Sequence, residues 1–216
     1  MALTLYNADL SPFASRVRLQ IRAKGLENEF LMKPRLEGDA FRQISPTGKV
    51  PCLDVGAYQL PESETICEFI EDSYPDPSLR GHTALGKAKV RLASRLVDLY
   101  LMPGFTLLFG QMGAKPRDGA LVEEGLRKVD DALGIIEPLL EGRRYALENR
   151  LTLADCALVP AFFFCAAIHP GFGKEAFNGR VKAKAYYETL TNEDDQCARI
   201  IGEMADGLKA MMSRRA

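Results

Sequence analysis

Apolar residues in the first third of the chain come in short runs separated by amphipathic stretches. "ALTLY" at 2–6 alternates as a strand does, and 12–24 carries its apolar positions at helical spacing until Gly25. "EFLM" at 29–32 predicts a second strand, and a short helix is expected near 38–44. "VPCLDV" and "YQL" then predict a tight strand pair about Gly56, followed by a helix over 63–73. Strand, helix, strand, short helix, hairpin and helix make an α/β pattern around a small mixed sheet.

The pattern changes at "YPDPSLRGH" (74–82), where two prolines, an aspartate and a glycine mark a linker. Beyond it no strand pattern recurs. Residues 83–110 are helical with a break expected at "MPG" (102–104), and "QMGAKPRDG" is a loop. Val122, Leu126, Val129, Leu133, Ile136 and Leu140 then form one continuous apolar stripe. "LTLADCALVPAFFFCAAI" (151–168) is apolar nearly all round and belongs at the centre of the second half. Thr152 and Asp155 have capping-box spacing at its start. Helices near 180–190 and 193–212 complete the chain. The expected division is 1–75, a linker at 76–82, and an all-helical domain at 83–216.

Composition narrows the function. A chain of 216 residues with 47% hydrophobic and 26% charged residues is ordinary for a soluble globular protein. A formal net charge of −1 gives nothing that draws it to nucleic acid or an anionic membrane. The N-terminus has no basic region leading into a long apolar run, and no segment reaches about 18 uninterrupted apolar residues, so the expectation is cytoplasmic. Cys52, Cys67, Cys156, Cys165 and Cys197 show no C-x-x-C spacing and read as reduced, mostly buried thiols. His82 and His169 stand outside any metal-ligand pattern, so no metal site is expected. "TGK" at 47–49 lacks the upstream glycine of a phosphate-binding loop.

Three features of the first domain remain. Ser11–Pro12 is a helix start, with Ser11 as cap and Pro12 in the first turn. "GKVP" (48–51) sets a valine–proline step before a strand. "PESETI" (61–66) opens another helix with an acidic residue and a serine, and Ile66 in the third helical position would leave its first N–H groups uncapped. Each is ordinary alone. Their order and spacing, together with "RVR" (16–18) and the "ADC" helix start, resemble the cytosolic glutathione transferases over essentially the whole chain. "SPFASRVR" is closest to the serine-type classes, notably tau, and shares its "RVR" with zeta.

The resemblance implies a thioredoxin-like N-terminal domain, an all-α C-terminal domain, glutathione as co-substrate, a detoxifying transfer to an apolar electrophile, and a homodimer. Ser11 is then the catalytic candidate, donating a hydrogen bond to the glutathione sulfur. Phe13, Lys49, Val50, Pro51, Glu62 and Ser63 are the glutathione-binding candidates, with Val50–Pro51 at the position of a cis-proline step. Lys33 could share the glycine carboxylate with Lys49. Arg16 is expected to hold the helix or a dimer contact. Met102, Phe105, Phe109 and Phe162 are candidates for the electrophile's apolar wall, and core packing is the competing role for each. His169 is expected to cap the end of the central helix.

Two alternatives stay open. A glutathione-dependent isomerase of zeta type usually shows a serine doublet and then cysteine, where this chain has Leu10, Ser11 and Pro12. A non-catalytic interaction protein could use the same scaffold, with the tail "KAMMSRRA" either covering the cleft or engaging a partner.

Overall fold

The computed structural model describes residues 3–141 and 144–214. Ala2 of the expected first strand, and Arg215 and Ala216 of the tail, lie outside the described residues. The first half is β1 (Leu3–Asn7), α1 (Pro12–Ala23), β2 (Phe30–Pro34), β3 (Cys52–Asp54), β4 (Gln59–Pro61) and α2 (Ser63–Ser73). The sheet order is β2-β1-β3-β4, with β1 parallel to β2 and antiparallel to β3, and β3 antiparallel to β4. The helix expected near 38–44 is a 3-10 segment, Gly38–Gln43. Glycine at its start and a polar "DAFRQ" offer one apolar anchor, Phe41, too little for a longer amphipathic helix.

The second half is helical: α3 (Ala84–Leu96), α4 (Met102–Gln111), α5 (Gly119–Ile136), α6 (Leu153–Ile168), α7 (Val181–Glu193) and α8 (Asp195–Ser213). A π-helical turn, Val97–Leu101, joins α3 to α4, so the expected break at "MPG" is absorbed one turn earlier. The Met102 N–H reaches back to Val97 O, a wider step than the α-helical one, and the wider turn makes room for Pro103, which has no N–H to give. Asp98, carried on this turn, returns below.

All residues of α6 except Ala166 and Ala167 are buried, which is why its sequence is apolar on every side. The capping box at its start is complete: Thr152 N and Oγ1 donate to Asp155 Oδ2 at 2.8 and 3.0 Å, and Asp155 Oδ1 accepts from Ala146 N and Tyr186 Oη. α1 packs against α6 and α8 and so joins the two halves. A buried ion pair pins the connection, with Lys24 Nζ 3.0 Å from Glu71 Oε1. Lys24 also donates to Tyr74 O and Pro77 O, and Glu71 accepts from Leu79 N, so this charge pair gathers the end of α1, α2 and the 74–79 segment. Leaving either charge alone would cost on the order of 3–5 kcal/mol.

Candidate functional site

The turn from β1 into α1 carries Ser11. Its hydroxyl oxygen accepts the Ala14 N–H at 3.2 Å, and Pro12 occupies the first turn, as the local sequence predicts. The hydroxyl proton has no acceptor among the described residues, so capping leaves Ser11 able to donate.

Two neighbours fix the turn. The buried Arg18 donates to Asn7 Oδ1 at 2.6 Å, to Asp9 Oδ1 at 2.7 Å and to Asp9 O at 3.0 Å. From the other side α8 comes into direct contact with Leu10. A Cβ placed on Gly207 would sit 3.0 Å from the Leu10 nitrogen, so glycine lets the two segments come this close without crowding.

A cleft of about 130 Å³ opens beside this turn, lined by Phe13, Thr47, Lys49, Val50, Pro51, Glu62 and Ser63. The six residues that the sequence assigned to glutathione therefore converge on one surface. Thr47 is the addition. Its hydroxyl lies 3.2 Å from Ser45 Oγ and accepts the Lys49 N–H at 3.4 Å, shaping the loop before Val50. Its only sequence signal was the "TGK" turn. Ser11 does not itself line this cavity; it stands two residues before Phe13, which does. Lys33 lies elsewhere, 6.0 Å from the centre of the Tyr6 ring.

The Val50–Pro51 peptide is cis, and among the described residues no loop or turn hydrogen bond uses the Val50 main chain. Its N–H and C=O thus remain available at the cleft. Glu62, exposed, is the residue before α2 and has φ of 69°, a left-handed value that costs a non-glycine residue roughly 1–3 kcal/mol. The helix spans Ser63–Ser73 as expected, but with Glu62 before it the third helical position is Thr65 rather than Ile66, and among the described residues no side chain caps it. The free N–H groups and positive dipole end of α2 therefore face ligand or solvent.

Beneath Ser63 lies Arg16, buried. It donates to Ser63 Oγ at 3.2 Å, and its two terminal nitrogens reach Asp98 at 2.5 and 3.0 Å. Its guanidinium also lies 5.7 Å from the centre of the Phe13 ring. Arg16 holds more than its own helix: it joins the cleft to the π-helical turn of the second half. Asp98 was missed by sequence reading, because an aspartate 82 residues away gives no local signal.

The electrophile wall expected from sequence is not assembled here. Phe105 and Phe162 are both 0% exposed. Phe105 packs edge-on against Phe164, and Phe162 against Phe177 and Tyr186, so both are core. Met102 is 7% exposed and belongs to the same core. Phe109 is half-buried and stands edge-on to Phe164 at 4.8 Å. None of the four lines the cleft. His169 follows the last residue of α6 and continues into a 3-10 segment, His169–Phe172; its ring lies 5.7 Å from Phe105, and burial lowers its pKa, keeping it neutral near pH 7.

All five cysteines are buried and unpaired. Burial pushes the Cys67 thiol up to about 12, and no protein thiolate is offered at the cleft.

The chain is similar to known proteins over most of its length. The family model of glutathione S-transferase N-terminal domains matches residues 5–78, and that of the C-terminal domains matches residues 96–194. Maleylpyruvate isomerase of a Ralstonia species is 31% identical over 172 residues, 73% of this chain and 80% of that protein. Glutathione S-transferase F13 of Arabidopsis thaliana is 29% identical over 203 residues, 88% of this chain and 91% of that protein. Among solved structures, a delta-class glutathione transferase of Nilaparvata lugens superposes with a TM-score of 0.80 at 22% identity, covering 99% of this chain and 100% of that one. A glutathione S-transferase of Methylobacterium radiotolerans, in complex with glutathione sulfonate, gives 0.79 at 22% identity over 93% and 95%. The two family models together match most of the chain, and the chain is a member of the cytosolic glutathione transferase superfamily.

Proposed function

We propose that this chain binds glutathione in the cleft and activates its thiol for attack on an electrophile. The observation that carries this is the convergence of Val50, Glu62 and Ser63 on one cavity, each with groups left unused by the protein. The Val50 main chain can pair with the cysteine of the tripeptide as an added antiparallel strand would. Glu62 has no ion pair among the described residues and would face the γ-glutamyl ammonium. The open start of α2 suits the neighbouring carboxylate, and the exposed Lys49 suits the glycine carboxylate at the other end.

Ser11 then acts on a thiol that the substrate brings. A free thiol titrates near 8.5, and a charge-assisted hydrogen bond with a helix N-terminus can bring it to roughly 7. The thiolate attacks the electrophilic carbon. With an aryl chloride the C–S bond forms, the C–Cl bond breaks, chloride leaves with the bonding pair, and the thiol proton goes to solvent. Ser11 donates a hydrogen bond and is neither base nor nucleophile.

A second reading, glutathione-dependent isomerisation, is supported by the 31% identity to a protein named maleylpyruvate isomerase. Isomerised product formed without consumption of glutathione would favour it. A non-catalytic role would follow from the absence of glutathione binding.

A homodimer is part of the proposal. Leu85, Leu92 and Leu99 repeat every seventh residue along α3 and the π-helical turn, and all are exposed. Tyr58, 63% exposed at the β3–β4 hairpin, offers a matching apolar tip from the first domain. Five buried free thiols support a reducing, cytoplasmic setting. Calorimetry with glutathione, followed by conjugation of chlorodinitrobenzene, tests the reading. No heat at millimolar glutathione would overturn it.

A further inference from the structure

We infer that Glu203, on α8, is a positioning residue for thiol activation: acting through Arg18, it holds the turn that presents Ser11. This role rests on the glutathione-activating reading and names a residue of the helical half on which that chemistry depends.

None of residues 7–11 is buried, so the turn from β1 into α1 draws its order from hydrogen bonds rather than from a core. The Ser11 N–H donates to Ala8 O at 3.0 Å and closes it. Asp9 O accepts from Ser15 Oγ at 3.3 Å and from Arg18 at 3.0 Å. One terminal nitrogen of Arg18 reaches Asn7 Oδ1 and Asp9 Oδ1, and the other reaches Asp9 O and Ser15 Oγ. Two bonds from each terminal nitrogen match the two N–H groups that each carries. Only Nε is left, and it faces Glu203 Oε2 at 3.5 Å. Both atoms are buried, and neither has a hydrogen-bond partner among the described residues. The guanidinium is planar, so whatever orients Nε also orients the four bonds that hold the turn.

Glu203 is itself held in place. Its Oε1 lies 2.6 Å from a terminal nitrogen of Arg22 and 3.4 Å from Arg199 Nε. Arg18 and Arg22 stand one turn apart on α1, with side chains 3% and 9% exposed, and like charges at that spacing repel. Burial is the main cause that lowers the Arg18 pKa, Arg22 adds to it, and Glu203 opposes it more than Asp9 does. Glu203 therefore lets two buried guanidinium groups stand side by side with their planes fixed. One turn further along α8, Gly207 meets Leu10, so this helix reaches the Ser11 turn at two successive points of one face.

The sign of the effect separates position from charge. Three arginines and two carboxylates, Glu203 and Asp9, make up this group. Glu203→Gln leaves it one unit more positive, and by charge alone that favours a nearby thiolate and lowers the thiol midpoint. Displacement of the Ser11 donor predicts the opposite, a raised midpoint.

The test titrates the absorbance of bound glutathione thiolate with pH in the wild type, Glu203→Gln, Ser11→Ala and the double variant. Glu203→Gln is expected to raise the midpoint by about half a unit, and to add nothing in the Ser11→Ala background. Hydrogen exchange of the glutathione-free protein is read over residues 7–11, where Glu203→Gln is expected to speed exchange about tenfold. Glu203→Asp keeps the charge one methylene shorter; it is expected to lie between wild type and Glu203→Gln, and it carries the test should Glu203→Gln fail to fold. Unchanged exchange over 7–11 would overturn the inference. So would, where Ser11→Ala does shift the midpoint, a lowered or unmoved midpoint in Glu203→Gln or an equal shift with and without Ser11. Faster exchange in Glu203→Gln with no effect of Ser11→Ala on the midpoint removes the activation reading and leaves Glu203 as the holder of the turn.

Discussion

The guanidinium of Arg16 donates to the hydroxyl of Ser63 at 3.2 Å while it grips Asp98 through both terminal nitrogens. One buried cation therefore orients a residue at the start of α2 and ties it to the helical half. Because Ser63 accepts from Arg16, its own proton is free for a ligand in the cleft. Replacing Arg16 with alanine strips Asp98 of its partner, and a loss of about 3 kcal/mol in urea denaturation is expected. Arg16→Lys keeps the charge but not the fork, and should weaken glutathione binding by about tenfold in calorimetry with a smaller stability loss.

Glu62 combines strain with charge. Glycine adopts its φ of 69° freely, so Glu62→Gly should raise stability by about 1 kcal/mol while weakening glutathione binding. Glu62→Gln retains the strain and loses only the charge, so it should weaken binding with stability unchanged. Thermal melts paired with calorimetry separate the two effects.

Gly207 sets the distance between α8 and the Ser11 turn. An added methyl would press on the Leu10 main chain at 3.0 Å, and overpacking of this kind costs about 1–3 kcal/mol. Gly207→Ala should lower kcat modestly, and Gly207→Val further, as the turn carrying Ser11 is displaced. The comparison is steady-state kinetics at saturating glutathione.

Asp155 makes stability depend on pH. Burial pushes its carboxyl up to about 6, with hydrogen bonds from Ala146, Thr152 and Tyr186 pulling the other way. The folded state thus holds this proton to higher pH than the unfolded chain, where it titrates near 3.9. Its contribution is fully present below about pH 4 and is lost as pH rises through about 6, amounting to about 3 kcal/mol. Asp155→Asn cannot titrate, so the stability difference between wild type and variant should show this fall across that window. Urea denaturation at a series of pH values checks it.

The order of elements was legible in the sequence because each carries its own period. "ALTLY" alternates, the Val122–Leu140 stripe steps by threes and fours, and "LTLAD" spells a capping box that the structure completes. The residues that line the cleft were legible through the order and spacing of short signals, each ordinary alone: a serine–proline helix start, a valine–proline step and "PES" at a helix start together resemble one family. The electrophile side was not. An aromatic such as Phe105 or Phe162 has the same helical spacing whether it faces a cleft or a core, and the crossing of α6 with its neighbours decides which. Asp98 was hidden because no periodicity links it to Arg16, 82 residues away, and the π-helical turn carries it there.

The central claim is that Ser11 stabilises the thiolate of bound glutathione. Ultraviolet absorbance of the bound thiolate, titrated with pH in the wild type and in Ser11→Ala, reads this directly. The account predicts a wild-type midpoint near 7 and a midpoint raised by about one unit or more in the variant, with glutathione affinity largely kept. An equal midpoint in the two proteins would contradict it.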